Sequence, residues 1–339
     1  MRYWYLFFFT LFFLSTSYAD SLRLASGEER DNIRIMSDGA EKVQFRDLST
    51  NKFESISSEQ VIWVSYDRAP KQFKKGMKAY QKYLFKKAIE LLSKIRQKKF
   101  EPYAKFFIAE SYRKMGDFKK AAKAYKYFRK QNHRLTTFAL FNLGMVYIYQ
   151  RNYGSARSVF KDLYEARFSP YWSLMGQYGQ GLSYLYRQNY RKAEDLFYQV
   201  SEKAKGKKGA SYFRLRHLAL SGRGLAQVGR KYYKEALKNF NIVLKESNDE
   251  EVLAGAYIGL GRMYYSKAKD GKDSKNNYKR ALLSFLKVST LYPGQKLLYA
   301  EALHFAALCF KKLGNEKNAK LLKEEIEIRV PKWARYKGF

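Results

Sequence analysis

Leu143-Gly144-Met145-Val146-Tyr147, followed after a tight turn by Ala156-Arg157-Ser158-Val159-Phe160, decides how this chain folds. Gly144 and Tyr147 are spaced to share one face of a helix, and so are Ala156 and Phe160. Two helices joined by a turn must cross. Gly144 and Ala156 are small where the backbones approach, while Tyr147 and Phe160 fill the space one turn away from each crossing.

The same words recur along the chain. The alanine of each second helix appears at Ala88, Ala121, Ala156, Ala193, Ala236, Ala281 and Ala319. An aromatic follows four residues later at Tyr125, Phe160, Phe197, Phe240 and Phe285, while the first and last repeats carry Leu92 and Lys323 there. The small residue of the first helix appears as Gly76, Ala109, Gly144, Gly181, Gly224, Gly261 and Ala307. An irregular helical bundle does not keep this order. The pattern resembles the tetratricopeptide repeat, whose ideal period is about 34 residues. Seven helix pairs stacked as an α-solenoid over 69–331 follow from it. Polar residues at the outward positions of the last repeat suit an end without a neighbour. Two insertions, Lys203 to Gly209 and Lys267 to Asn277, read as flexible solvated loops. Trp333 and Tyr336 belong to a tail at 332–339 that covers the last face.

In front of the repeats the periodicity changes to two. Asn32-Ile33-Arg34-Ile35 and Lys42-Val43-Gln44-Phe45-Arg46 alternate, and Val61 to Tyr66 is the strongest strand. Four or five short strands over 20–68 predict a small all-β module, one sheet or an SH3-like barrel. Both faces of Val61–Tyr66 are apolar, which places it centrally or under the first helix. Val64-Ser65-Tyr66-Asp67-Arg68-Ala69-Pro70 resembles the phrase that joins a β-module to tetratricopeptide repeats in an exported bacterial family.

Residues 1–19 read as an address. Arg2, the apolar run from Tyr3 to Leu14 and Ser17-Tyr18-Ala19 follow the order of a cleavable signal peptide, so Asp20 is expected to begin the mature chain. Cys309 is the single cysteine and lies far from this site, which excludes a lipoprotein anchor there and any intrachain disulfide. A buried core thiol is expected.

The net charge is +35, with aromatic residues at 17%. Residues 20–68 carry seven Lys/Arg against ten Asp/Glu, so the excess sits on the repeats. His133, His217 and His304 fall in different repeats, with no second metal-ligand type at ligand spacing. The Gly222-Arg223-Gly224 and Gly176–Gly181 stretches lack the Gly-Lys-Ser/Thr of a phosphate loop. No catalytic constellation, cofactor site or metal site is expected, and the chain reads as a non-enzyme.

Two surfaces remain. In the tetratricopeptide family the first helices line a concave groove. Carried onto this chain, that resemblance implies a partner groove of Tyr103, Phe106, Phe138, Phe141, Tyr149, Tyr178 and Tyr186, aromatic in its middle and basic toward its ends. On the convex side Lys119, Lys120, Lys123, Lys126, Arg129 and Lys130 form a basic stripe along one second helix. The expected function is a non-catalytic protein–protein interaction scaffold in the bacterial periplasm or cell envelope. It holds a segment of an envelope protein in the groove. The alternative is binding of a polyanion or anionic membrane surface, lipid or polymer, through the basic repeats. Nucleic acid as a partner sits poorly with export.

Overall fold

The computed structural model describes residues 19–271 and 273–330; the expected signal peptide up to Tyr18 and the tail at 332–339 lie outside the described residues. Five strands come first: β1 (Asp20–Leu24), β2 (Glu29–Asp38), β3 (Lys42–Asp47), β4 (Phe53–Ser57) and β5 (Val61–Ser65). They make one antiparallel sheet in the order β4-β3-β2-β1-β5. Alternation drives it. Ile33, Ile35, Val43 and Phe45 are buried on one face, while Arg34, Lys42 and Gln44 between and beside them are exposed. β5 returns to pair with β1 and so lies at an edge of the sheet, not at its centre.

Among the described residues fourteen helices follow in seven consecutive pairs: α1 (Lys71–Gln81) with α2 (Phe85–Leu92), α3 (Glu101–Lys114) with α4 (Phe118–Tyr125), α5 (Leu135–Tyr149) with α6 (Tyr153–Glu165), α7 (Pro170–Tyr186) with α8 (Tyr190–Ala204), α9 (Ala210–Gly229) with α10 (Tyr233–Glu246), α11 (Glu250–Lys269) with α12 (Ser274–Leu291), and α13 (Lys296–Lys312) with α14 (Glu316–Arg329). The register alanines from Ala88 to Ala281 are wholly buried. So are Tyr125, Phe160, Phe197, Phe240 and Phe285. Their neighbours explain why the small residues recur. A Cβ on Gly144 would lie 2.4 Å from the Phe160 ring, and one on Gly179 of the next pair 2.2 Å from it. Phe197 is clamped in the same way between Gly181 and Gly222, and Phe240 between Gly224 and Gly259.

The turns within the pairs share a build. Asp117, Asn152, Asn189 and Asn315 cap the second helices, each side chain accepting from the backbone N–H three residues on. Just before the cap, Arg151 and Gln188 adopt left-handed φ of 57° and 64°, where Gly116 stands in the second pair.

Three expectations are corrected here. The second insertion is mostly helical, because α11 runs on to Lys269 and α12 starts at Ser274. The first shrinks to a turn around Gly206 and Gly209, both at positive φ. The stripe does not follow a single α-helix either: α4 ends at Tyr125 and Lys126–Lys130 tightens into a 3-10 turn. Cys309 is buried on α13, and burial pushes its thiol up to about 12.

The array curls back on itself. Tyr299, Ala300 and Leu303 of α13 pack against Phe118 and Tyr149, which stack on each other at 5.2 Å. The last pair thus lands on the second and third. At the other end the sheet is pinned to the array. Asp38 ends β2, and Arg134 just before α5 donates to it; Ala40 N–H donates to Asn132 Oδ1 at 3.2 Å. Arg134 Nη1 also donates to the Val61 carbonyl at 3.1 Å.

Candidate functional site

Because β5 sits at the sheet edge, its outer side faces α1, α3 and α5 across a cleft of about 610 Å³. Val61 and Val64 turn into the module core. Ile62 and Trp63, 51% and 38% exposed, turn toward the cleft. This accounts for the apolar character of both faces of the strand. The helical walls carry Phe73 and Met77 from α1, Phe106 and Phe107 from α3, and Leu135 and Phe138 from α5. Trp63 lies 6.1 Å from Phe107 between ring centroids. Lys74 and Lys78 line the cleft from exposed positions on α1.

A buried polar network fixes one wall. The Tyr103 hydroxyl donates to Asp38 Oδ2, and the Tyr66 and Tyr103 hydroxyls are 3.2 Å apart. His133 Nε2 is 3.7 Å from the same carboxylate. Burial raises the Asp38 carboxyl above its ordinary value, outweighing the pull of Arg134. Burial, aided by the Arg134 charge, pushes His133 down to about 3, so the ring is neutral at physiological pH. These groups hold the strand edge and the helix faces at a fixed separation. They are a frame, and the cleft they frame is largely apolar with Lys74, Lys78 and Asp67 among its polar lining, suited to holding a chain segment.

The seven ring positions divide. Tyr103, Phe106 and Phe138 line the cleft. Phe141, Tyr149, Tyr178 and Tyr186 are not among its lining residues. Phe141 packs on Phe160 at 5.5 Å and Tyr178 on Phe197 at 5.5 Å, as packing between helices. Tyr149 is covered by α13. Burial raises the Tyr186 hydroxyl, with Arg262 and Glu301 close enough to act on it. Those two pair at 2.6 Å. None of the seven rings is exposed. α13 covers Tyr149 and brings Glu301 near Tyr186, while Phe141 and Tyr178 pack on rings of neighbouring helices, so the seven rings do not line one shared open groove.

The six cations of the convex stripe are all exposed. Lys120 pairs with Asp117 at 3.1 Å and Arg129 with Asp162 at 3.1 Å. Sequence reasoning missed Ile62, Trp63 and Phe107. Their signal was the doubly apolar strand, which a central position would also explain. Among the described residues no group of three His, Cys, Asp or Glu side chains could hold a metal ion, and no helix is long and apolar enough to cross a membrane.

Residues 108–171 match the family model of the tetratricopeptide repeat. No curated protein matches the chain. Solved structures do. A Rap protein complexed with competence and sporulation factor is 14% identical, with a TM-score of 0.53 over 78% of this chain and 76% of that one. The apo form of RapI is 17% identical, with a TM-score of 0.54 over 78% of this chain and 97% of that one. A tetratricopeptide repeat protein from Parabacteroides merdae is 19% identical over 76% of this chain and 97% of that one, with a TM-score of 0.46. The helical array is a tetratricopeptide-repeat solenoid behind a small antiparallel β-module.

Proposed function

We propose that this protein is an exported, non-catalytic scaffold of the bacterial cell envelope that grips an extended segment of a partner protein in the cleft between β5 and the first helices. The cleft carries this reading. It joins a strand edge that no described strand covers to an apolar helical wall, and it lies on a buried polar frame. An extended segment can hydrogen-bond along β5 while alternate side chains enter the hollow between Trp63, Phe107 and Phe138. Lys74 and Lys78 favour a segment with acidic flanks. Support from likeness is limited to fold: a solved neighbour is described as complexed with a second molecule, competence and sporulation factor. The leader-like order of residues 1–19 supports export.

A photo-crosslinking residue at Ile62, in the full chain expressed in cells, tests the cleft against a second one placed at Lys123. Adducts to one envelope protein from Ile62, reduced by Phe107→Glu, are expected. Adducts from Lys123 alone, fading as salt rises, would overturn the cleft reading in favour of polyanion binding. Mass spectrometry of the mature N-terminus should find Asp20; a soluble chain still starting at Met1 would remove the export step.

A further inference from the structure

A second hollow, of about 590 Å³, opens at the turn between α7 and α8. Its walls bring together four guanidinium groups and an ammonium group: Arg157 near the start of α6, Arg187 in the turn, Arg191 and Lys192 in the first turn of α8, and Arg230 after α9. Among the described residues no carboxylate lines it. Glu194 reaches Arg230 at 2.6 Å and neutralises that one cation. Arg157, Arg187, Arg191 and Lys192 have no acidic partner among the described residues.

Two of these cations share one ring. Arg157 Cζ is 5.1 Å and Lys192 Nζ 5.6 Å from the centroid of Tyr184. The ring gathers like charges that would otherwise swing apart. Arg157 Nη1 is buried with no hydrogen-bond acceptor. A buried donor left unmade is costly, and a guanidinium has no uncharged form to retreat to. α8 begins in the same wall, so the positive end of its dipole adds to the field. The corresponding turn one pair further on is built differently: Lys231 there is paired with Asp270 at 2.7 Å. The α7–α8 turn therefore differs from the α9–α10 turn in having its cations left without acidic partners.

We infer that this hollow is a binding site for a phosphate group carrying at least two negative charges. Arg187, Arg191 and Lys192 close around its oxygens, and Arg157, held against the Tyr184 ring, adds its charge from the wall. Guanidinium forks match the tetrahedral oxygens of phosphate, and several forks around one hollow favour a multiply charged anion over a single carboxylate. The site is separate from the cleft beside β5 and stands or falls without it.

Isothermal titration of the full chain with inorganic pyrophosphate tests the assignment. Arg157→Ala with Arg191→Ala should weaken binding about tenfold or more, the scale of losing charge-assisted hydrogen bonds. Arg157 is half-buried, so Arg187→Ala with Arg191→Ala, both exposed, serves as a second variant without disturbance to packing and should lose affinity similarly. Lys119→Ala with Lys123→Ala removes the same charge from α4 and should change affinity by less than about twofold. Equal losses in all three variants would overturn the site in favour of a diffuse field, as would the absence of saturable binding by the wild type. Vesicles identify the source of the phosphate. Co-sedimentation with anionic but not zwitterionic phospholipid, displaced by pyrophosphate, marks a lipid headgroup; saturable pyrophosphate binding without co-sedimentation marks a soluble phosphate compound.

Discussion

Arg134 holds Asp38 twice: its Nε donates to Oδ1 at 2.9 Å, and its backbone N–H donates to the Asp38 carbonyl at 3.0 Å. Both side chains are almost wholly buried, at 3% and 6% exposure. Arg134→Ala would strand the Asp38 carboxylate in that environment. It should destabilise the protein by about 3–5 kcal/mol, because a buried charge that loses its partner keeps its desolvation cost. Urea unfolding followed by tyrosine and tryptophan fluorescence measures this. A loss below about 1 kcal/mol would mean that the module is held by apolar contacts instead.

Acid should loosen the same junction. With its folded-state value pushed down to about 3, His133 stays neutral in the native protein while the unfolded chain takes up a proton below about 6.5. The unfolded state then binds more protons, so stability falls as pH drops from about 6.5 toward 3. From pH 7 to pH 5 the loss should be about 2 kcal/mol. Burial lowers His217 as well, which acts in the same direction. Asp38, raised from 3.8, works oppositely: its contribution falls as pH rises through the interval above that value. Melting curves across this range should slope downward on acidification, and His133→Asn should flatten them. An unchanged slope in the variant would refute the assignment.

Two glycines should respond with opposite signs to the same substitution. Gly179→Ala puts a methyl group against the wholly buried Phe160 ring and should cost about 1–3 kcal/mol by overpacking. A Cβ added to Gly255 on α11 would meet nothing within 4 Å. Gly255→Ala should stabilise by up to about 1 kcal/mol through helix propensity. Thermal melting of the pair checks both signs at once.

Ring truncations should separate packing from binding. Tyr178→Ala removes a ring packed on Phe197 and should cost about 3–5 kcal/mol. Trp63→Ala removes a ring that is more than a third exposed, so its melting temperature should change little while capture at the cleft drops. Reduced capture by Tyr178→Ala with unchanged melting, and none by Trp63→Ala, would return the partner surface to the concave centre.

The repeats were legible because their information is local. Gly144, Ala156 and Phe160 have counterparts in the other pairs in the same order, and the four-residue step from alanine to aromatic is about one helix turn. The alternation of Ile33, Ile35, Val43 and Phe45 announced the sheet in the same way. The cleft was not legible. It depends on where the module lands, and that is fixed by contacts such as Asp38 with Arg134, which follow no period. The burial of Tyr149 depends on α13 arriving from the far end of the chain. No rule about inward-facing positions reports whether the spiral closes.

That closure gives the number of repeats a meaning of its own. A solenoid whose units touch only adjacent units could gain or lose one and remain itself. Here the last helix pair returns to Phe118 and Tyr149, so the array is cut to a length. Deleting α13 and α14 would uncover the α12 face and, at the same time, the aromatic patch of the second and third pairs. One extra pair placed before them would carry them past their seat. Duplication and deletion, the ordinary ways in which repeat arrays diversify, are therefore penalised in this chain, and variation is left to its loops and charged edges.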